Sequence, residues 1–291
     1  MKRKSFICLV IVAFVTFPYA PIVLATSILG SAENFAVLAG MLDLTNTSAT
    51  TITGDVGIHT AAALSNTGSI TLTGAYHLGD NTTLTADNDL TTAYTALNNM
   101  QATTLVSNQL AGVTLTSGVY TFGGNPAAVL LTGMLTLNAQ GNNNAFWVFQ
   151  IPNALTTGVG SSVVVSNFGS NGGNDDGVFR VVGSPAGIFG STSFEGNILG
   201  LTSITLDNSA PILNGIALAR NGTVTMDTNT ISIVCPPGGP RYSGGLEFDE
   251  SGNVEPAGSS GPTPVSEPAI MLFLGSGLVG LAGFVRRKFK K

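Results

Sequence analysis

The chain has 291 residues, of which 44% are apolar and only 9% charged, far below the roughly 25% charge of an ordinary soluble domain. That shortage excludes a disordered polyelectrolyte and a helical bundle, whereas 37 glycines and 34 threonines suit a turn-rich β protein. Between residues 26 and 265 there are three arginines, no lysine and fifteen acidic residues, a net formal charge of −12, which excludes nucleic acid as a partner.

Most of the basic residues lie at the two ends. Lys2-Arg3-Lys4 precedes an apolar run from Phe6 to Phe17, and Val23-Leu24-Ala25 offers small residues for cleavage. This is the order of a secretory signal peptide over residues 1–25, itself a short terminal helix. An uncleaved anchor is the alternative, opposed by Pro18 and Pro21.

From residue 26 onward, short segments alternate apolar with Thr or Ser. They include Thr51-Ile52-Thr53, Ser69-Ile70-Thr71-Leu72-Thr73, Leu135-Thr136-Leu137, Ser203-Ile204-Thr205-Leu206 and Thr223-Val224-Thr225-Met226. Period two with flanking Gly, Asn or Asp reads as strands with one face inward. One stretch differs. Leu90, Ala93, Tyr94, Leu97 and Met100 follow a 3.6-residue period, so an amphipathic helix is expected over Asp87 to Met100, with Thr85, Asp87 and Asn88 as candidate caps.

Ser203-Ile204-Thr205-Leu206-Asp207 recurs as Thr223-Val224-Thr225-Met226-Asp227, twenty residues later. Twenty residues suit one turn of a three-sided coil, in which each turn buries its apolar side on the next. Ser203 should then lie above Thr223 and Thr205 above Thr225. An antiparallel sandwich is the competing arrangement.

Several stretches taken together resemble the ice-binding protein family of bacteria, fungi and algae. They are Leu29 to Gly40, Thr51 to Gly57, Leu90 to Tyr94, Gly118-Val119-Tyr120, Leu135 to Gly141, Phe146 to Ile151, Phe194 to Leu199 and Asn214 to Arg220. The resemblance spans residues 29–233 in order. It implies a mainly β fold, an irregular right-handed β-solenoid or three-sided β-helix with one long α-helix packed alongside, over a domain of residues 26–235. It also implies an ice crystal surface as partner; the residues themselves offer no catalytic motif, and no cofactor is expected.

After this domain, residues 236–265 read as a Gly/Ser/Pro-rich linker. Residues 266–291 contain Ser266-Glu267-Pro268, an apolar stretch from Ala269 to Val285, and a tail beginning Arg286-Arg287. The arrangement resembles the PEP-CTERM sorting signal of Gram-negative bacteria, with Ser266 in place of the first proline. It implies an exosortase-type enzyme as partner, and contact with the inner membrane only through this C-terminal apolar helix before processing. An ordinary single-span anchor is the alternative. Either way the body belongs outside the inner membrane, secreted or at the cell surface. With Cys8 in the signal, Cys235 stands alone in the mature chain, so no intramolecular disulfide is available.

The chemistry available is narrow. His59 and His77 are the two histidines and fall in expected turns; with Asp55 and Asp80 they can be drawn as a metal site, but surface turn residues are the simpler reading. In Gly169 to Gly177, adjacent Asp175 and Asp176 with Asn carbonyls offer oxygen ligands for calcium, but the segment lacks ordered calcium-loop spacing, so a flexible loop is the expected reading and calcium the alternative. Phe146, Trp147 and Phe149 read as core and rim packing. Outward Thr residues on a strand repeat at about 6.6 Å and on neighbouring turns at about 4.8 Å, and such an array can hold ordered water. The expected ice-contacting face carries Thr51, Thr53, Ser203, Thr205, Thr223 and Thr225. A structural or adhesive matrix protein of the envelope is the alternative function.

Overall fold

The computed structural model describes residues 26–60, 64–234 and 239–259. Short strands wind into a three-sided coil. Each complete turn gives one strand to each side, and every neighbour within the three sides pairs in parallel. The first side is a nine-stranded sheet in the spatial order 76–78, 55–58, 35–39, 217–219, 197–200, 177–182, 146–151, 118–122 and 103–105. The second is seven-stranded, in the order 128–131, 154–157, 186–188, 204–206, 224–226, 44–46 and 64–66. The third comprises a sheet of strands 114–116, 134–138 and 162–166 and another of 194–195, 212–213, 230–232, 49–53 and 69–73, joined by a bridge between Ser162 and Ser193.

Spatial order departs from chain order. The turns at 35–53 and 55–73 sit beyond the last turn, 217–232, so that Val37 pairs with Ala217 and Thr45 with Thr225. The chain then has to reach the opposite end of the coil, and helix α1, Asn81–Asn98, carries it there. Its 18 residues span about 27 Å. Nine strands at about 4.8 Å span about 38 Å, and the links on either side of the helix cover the difference.

Alternation decides what faces where. Inward side chains such as Ile52, Leu137, Trp147, Phe149, Ile204 and Val224 form the core inside the coil. On the nine-stranded side, the outward residues Phe35, Leu38, Val148, Phe179, Val181, Leu199 and Leu218 meet Ala86, Leu90, Ala93, Tyr94 and Leu97 of α1 in a second core. The helix thus covers one side, and among the described residues no second layer covers the other two.

The expected helix is present but begins earlier than residue 87. The Asp80 carboxylate accepts the Thr83 N–H at 2.9 Å and caps it, and Thr83 and Ala86 extend the buried stripe toward the N-terminus. Thr85 is therefore no cap; its hydroxyl donates to the Asn81 carbonyl at 2.9 Å.

The expected linker is corrected over residues 239–259. Leu246–Phe248 pairs antiparallel with both Thr26–Ser27 and Val254–Pro256. The Tyr242 carbonyl accepts the Val178 N–H at 2.8 Å, and Tyr242 and Leu246 are buried. These apolar side chains, spaced among glycines, dock the segment on the coil. The signal segment 1–25, Cys235 and the sorting residues Ser266, Glu267, Pro268, Arg286 and Arg287 lie outside the described residues. Among the described residues, no helix is long and apolar enough to cross a membrane.

Candidate functional site

The seven-stranded side is open, and its outward residues follow from register. Thr156 stands beside Gly187, then Thr205, Thr225, Thr45 and Ser65 in one row across successive strands. Neighbours in such a row are about 4.8 Å apart. The inward neighbours Leu44, Ile204, Leu206, Val224 and Met226 are wholly buried, which holds the outward set in place. Ser203 and Thr223 begin a second row two residues upstream. The Thr223 N–H donates to Ser203 Oγ at 3.2 Å, so the expected stacking of this pair is met, as it is for Thr205 over Thr225.

Thr51 and Thr53 lie elsewhere. They belong to the third side, where Thr230, Thr51 and Thr71 form one row and Ser232, Thr53 and Thr73 the next. Thr51, Thr71 and Thr230 are exposed, whereas Ser232 is buried. The expected six residues thus divide four and two between adjoining sides instead of sharing one face. Local alternation is the same on every side, so it could not separate them.

The corner between these two sides is held by buried amides that the residue pattern did not single out. Asn46 Nδ2 donates to the Ser48 carbonyl at 2.6 Å and to Asn66 Oδ1 at 2.8 Å, and Asn46 Oδ1 accepts the Thr50 hydroxyl at 2.8 Å. Asn229 Nδ2 donates to the carbonyls of Asp207 at 2.9 Å and Ala210 at 3.1 Å. Thr45 and Ser65 were also missed. Their signal was present, since Leu44-Thr45-Asn46 and Leu64-Ser65-Asn66 repeat at the same twenty-residue offset.

The other candidates resolve as follows. His77 lies on strand 76–78 rather than in a turn. Its Nδ1 is 2.9 Å from Asp80 Oδ2, and its Nε2 is 3.6 Å from Asp55 Oδ2. The Thr83 N–H and then His77 hold the Asp80 carboxyl below its usual range. No group of three or more His, Cys, Asp or Glu among the described residues could hold a metal ion. The 169–177 loop is tied down rather than loose: Asp176 Oδ1 accepts the Ala145 N–H at 2.9 Å, and Asn171 Nδ2 donates to the Asn143 carbonyl at 2.8 Å and to Asp175 at 2.9 Å. Trp147 and Phe149 are core residues, and Trp147 Nε1 donates to the Leu115 carbonyl at 3.2 Å.

These features define a β-solenoid with a helix on one side and hydroxyl-bearing rows on the others. The chain belongs to the ice-binding-like family, which matches residues 37–232. It is 39% identical over 292 residues to an ice-binding protein of Nostoc sp. (strain HG1), covering 100% of this chain and 98% of that protein. It is 30% identical over 220 residues to an ice-binding protein of Flavobacterium frigoris (strain PS1), covering 70% of this chain and 75% of that protein. Among solved structures, the crystal structure of the ice-binding protein from the Antarctic ascomycete Antarctomyces psychrotrophicus matches with a TM-score of 0.62 at 35% identity, covering 70% of this chain and 97% of that one.

Proposed function

We propose that this protein adsorbs to ice through the open seven-stranded side and limits crystal growth or recrystallisation, without catalysis. The observation that carries the reading is the register-matched run Thr205, Thr225, Thr45 and Ser65, one hydroxyl per strand over four successive strands. Each hydroxyl can anchor one water, and each Thr methyl limits competing hydrogen bonds. The row contains no charged residue, so no ionic hydration shell disturbs the water lattice. Ser203 and Thr223 widen the patch. Thr51 and Thr53, with Thr71 and Thr230, form a second hydroxyl patch around the corner, favoured by its greater exposure.

The test is recrystallisation inhibition by the wild type beside Thr205→Lys, Thr225→Tyr and Thr51→Tyr. The first two should abolish most activity, and at exposed Thr205 melting should stay unchanged, because exposed substitutions typically shift stability by about 0.5 kcal/mol or less. Loss only in Thr51→Tyr would move the site to the third side. A wild type without effect on ice would favour the matrix reading instead.

The ends fit delivery to the outside. We infer a mature chain that begins near Thr26 and is cleaved or membrane-embedded beyond about Ser266, with exosortase-type processing of Ser266-Glu267-Pro268. Intact mass of the protein from its own host should show the loss of residues 1–25; full-length chain in the cytoplasm would refute this.

A further inference from the structure

The outward row on the seven-stranded side is interrupted. Read across the sheet it runs Leu130, Thr156, Gly187, Thr205, Thr225, Thr45 and Ser65. Gly187 is the position in this row that has no side chain. The neighbouring row stops at the same strand. Ser203 and Thr223 lie two residues upstream of Thr205 and Thr225, and the residue two upstream of Gly187 is Pro185. Strand 186–188 therefore offers no hydroxyl in either row, although Thr156 on one side of it and Thr205 on the other do.

Nothing in the fold requires glycine there. Gly187 is not among the glycines with positive φ, and a Cβ added to it would meet nothing within 4 Å. Gly57 and Gly222 differ: a Cβ would run into the Phe35 ring and Leu38 at the first, and into the Ser203 backbone at the second. Those two glycines permit close approach, whereas Gly187 leaves an open notch in the surface. The exposed side chain of Phe189, two residues on, does not fill it, since no atom of Phe189 comes within that distance.

We propose that Gly187 sets the boundary of the ice-contacting surface, which ends at strand 204–206 and leaves Thr156 outside. The inference rests on the ice-binding reading and gives that surface its extent. At one hydroxyl per strand, Thr205, Thr225, Thr45 and Ser65 span about 14 Å, and Thr156 stands two strands from Thr205, about 9.6 Å away. Between them lies bare backbone. Water over Gly187 has neither a hydroxyl to anchor it nor a methyl to narrow its choice of partners, and the notch lets it drop toward the peptide groups. An ordered layer that starts at Ser65 loses its support there. Thr156 does not restart it, because the next residue in the row is Leu130. A threonine in place of Gly187 would join both parts into one array over about 24 Å. The position also suits threonine, since β-branched residues favour strands and glycine weakens them.

The experiment is recrystallisation inhibition against concentration, on the protein purified from its host. Wild type is compared with Gly187→Thr, Gly187→Ala, Thr156→Val and the double variant Gly187→Thr with Thr156→Val. Gly187→Thr should lower the concentration that halves recrystallisation by roughly fivefold, the weight of one net hydrogen bond. Gly187→Ala narrows the notch without a hydroxyl and should stay at the wild-type value. Thr156→Val removes a hydroxyl at nearly constant shape. It should change nothing by itself and give back part of the gain in the Gly187→Thr background. Such coupling marks a shared array, which a general gain in stability would not produce. Circular dichroism and melting check the fold of each variant, and Gly187→Ser supplies the same hydroxyl in case Gly187→Thr does not fold. A Gly187→Thr variant at the wild-type value, with activity still lost in Thr205→Lys, would overturn the boundary and leave the ice-binding face in place. An equal gain in Gly187→Ala would also overturn it, since a stiffer strand would then be the cause. So would lost activity in Thr156→Val alone, since the surface would then already cross the gap. A wild type without effect on ice would overturn the ice-binding reading itself, and the boundary with it.

Discussion

Asp176 is an acid placed out of reach of solvent. Its side chain is wholly buried, one oxygen holds the Ala145 N–H, and the other has no hydrogen-bond partner among the described residues. Burial, with the neighbouring Asp175 charge adding to it, pushes its pKa up to about 6. A carboxyl whose folded pKa exceeds its unfolded value binds its proton more tightly in the native state. Its contribution to stability is therefore full below about pH 4 and is lost as pH rises to about 6. Asp176→Asn keeps the acceptor for Ala145 and removes the titration. The variant should be more stable than wild type at pH 7, by on the order of 2 kcal/mol, with the difference vanishing near pH 4. Melting temperatures of both proteins between pH 4 and pH 7 check this; parallel curves would mean that Asp176 titrates normally. Arg180 shows the same pressure with opposite sign. It points into the coil over the Phe194 ring at 4.1 Å and donates to the Glu195 carbonyl at 2.8 Å, and burial lowers its pKa to about 9. At neutral pH it is therefore still a cation inside the core.

At the scale of elements, what could be read from the residues was local. Alternation placed Ile52, Ile204 and Val224 inward, and all three are wholly buried. The repeat at 203 and 223 became strand register, and the stripe through Leu90, Ala93, Tyr94 and Leu97 became the buried face of α1. What could not be read was non-local. Thr51 and Thr225 have the same flanking pattern, yet Thr225 joins Thr45 and Thr51 joins Thr230, because the turn residues between strands decide which side each strand enters. Asn46 and Asn229 work at those turns, where a sequence shows only polar residues between strands. The start of α1 was hidden for another reason: Asn81-Thr82 carries no apolar period, and the cap at Asp80 extends the helix without one. The docked tail was hidden by averaging, since the glycines and prolines around Tyr242 and Leu246 dominate the composition of their stretch.

At the scale of the whole molecule, the chain's two halves close on each other. Strand 35–39 lies between 55–58 and 217–219, strand 44–46 between 64–66 and 224–226, and strand 49–53 between 69–73 and 230–232. The first two turns thus have the last turn as their neighbour in the coil. Left by themselves they would be a short stack exposed on both ends, and a repeat unit gains most of its stability from the neighbours it stacks on. A chain truncated after Asn214 deletes none of the residues 35–58, yet it removes Ala217, Leu218, Val224, Met226 and Ile231 from against them. Helix α1 still touches the outer side of strand 35–39 through Leu38, but it supplies no strand edge. The expected outcome is that amides of residues 35–58 lose most of their hydrogen-exchange protection in the truncated chain, while those of 118–151, at the far end of the coil, keep theirs. Exchange followed by mass spectrometry on both chains measures this directly. Undiminished protection of 35–58 would mean that the first two turns and the helix form a unit of their own, and that the last turn docks onto a scaffold already built.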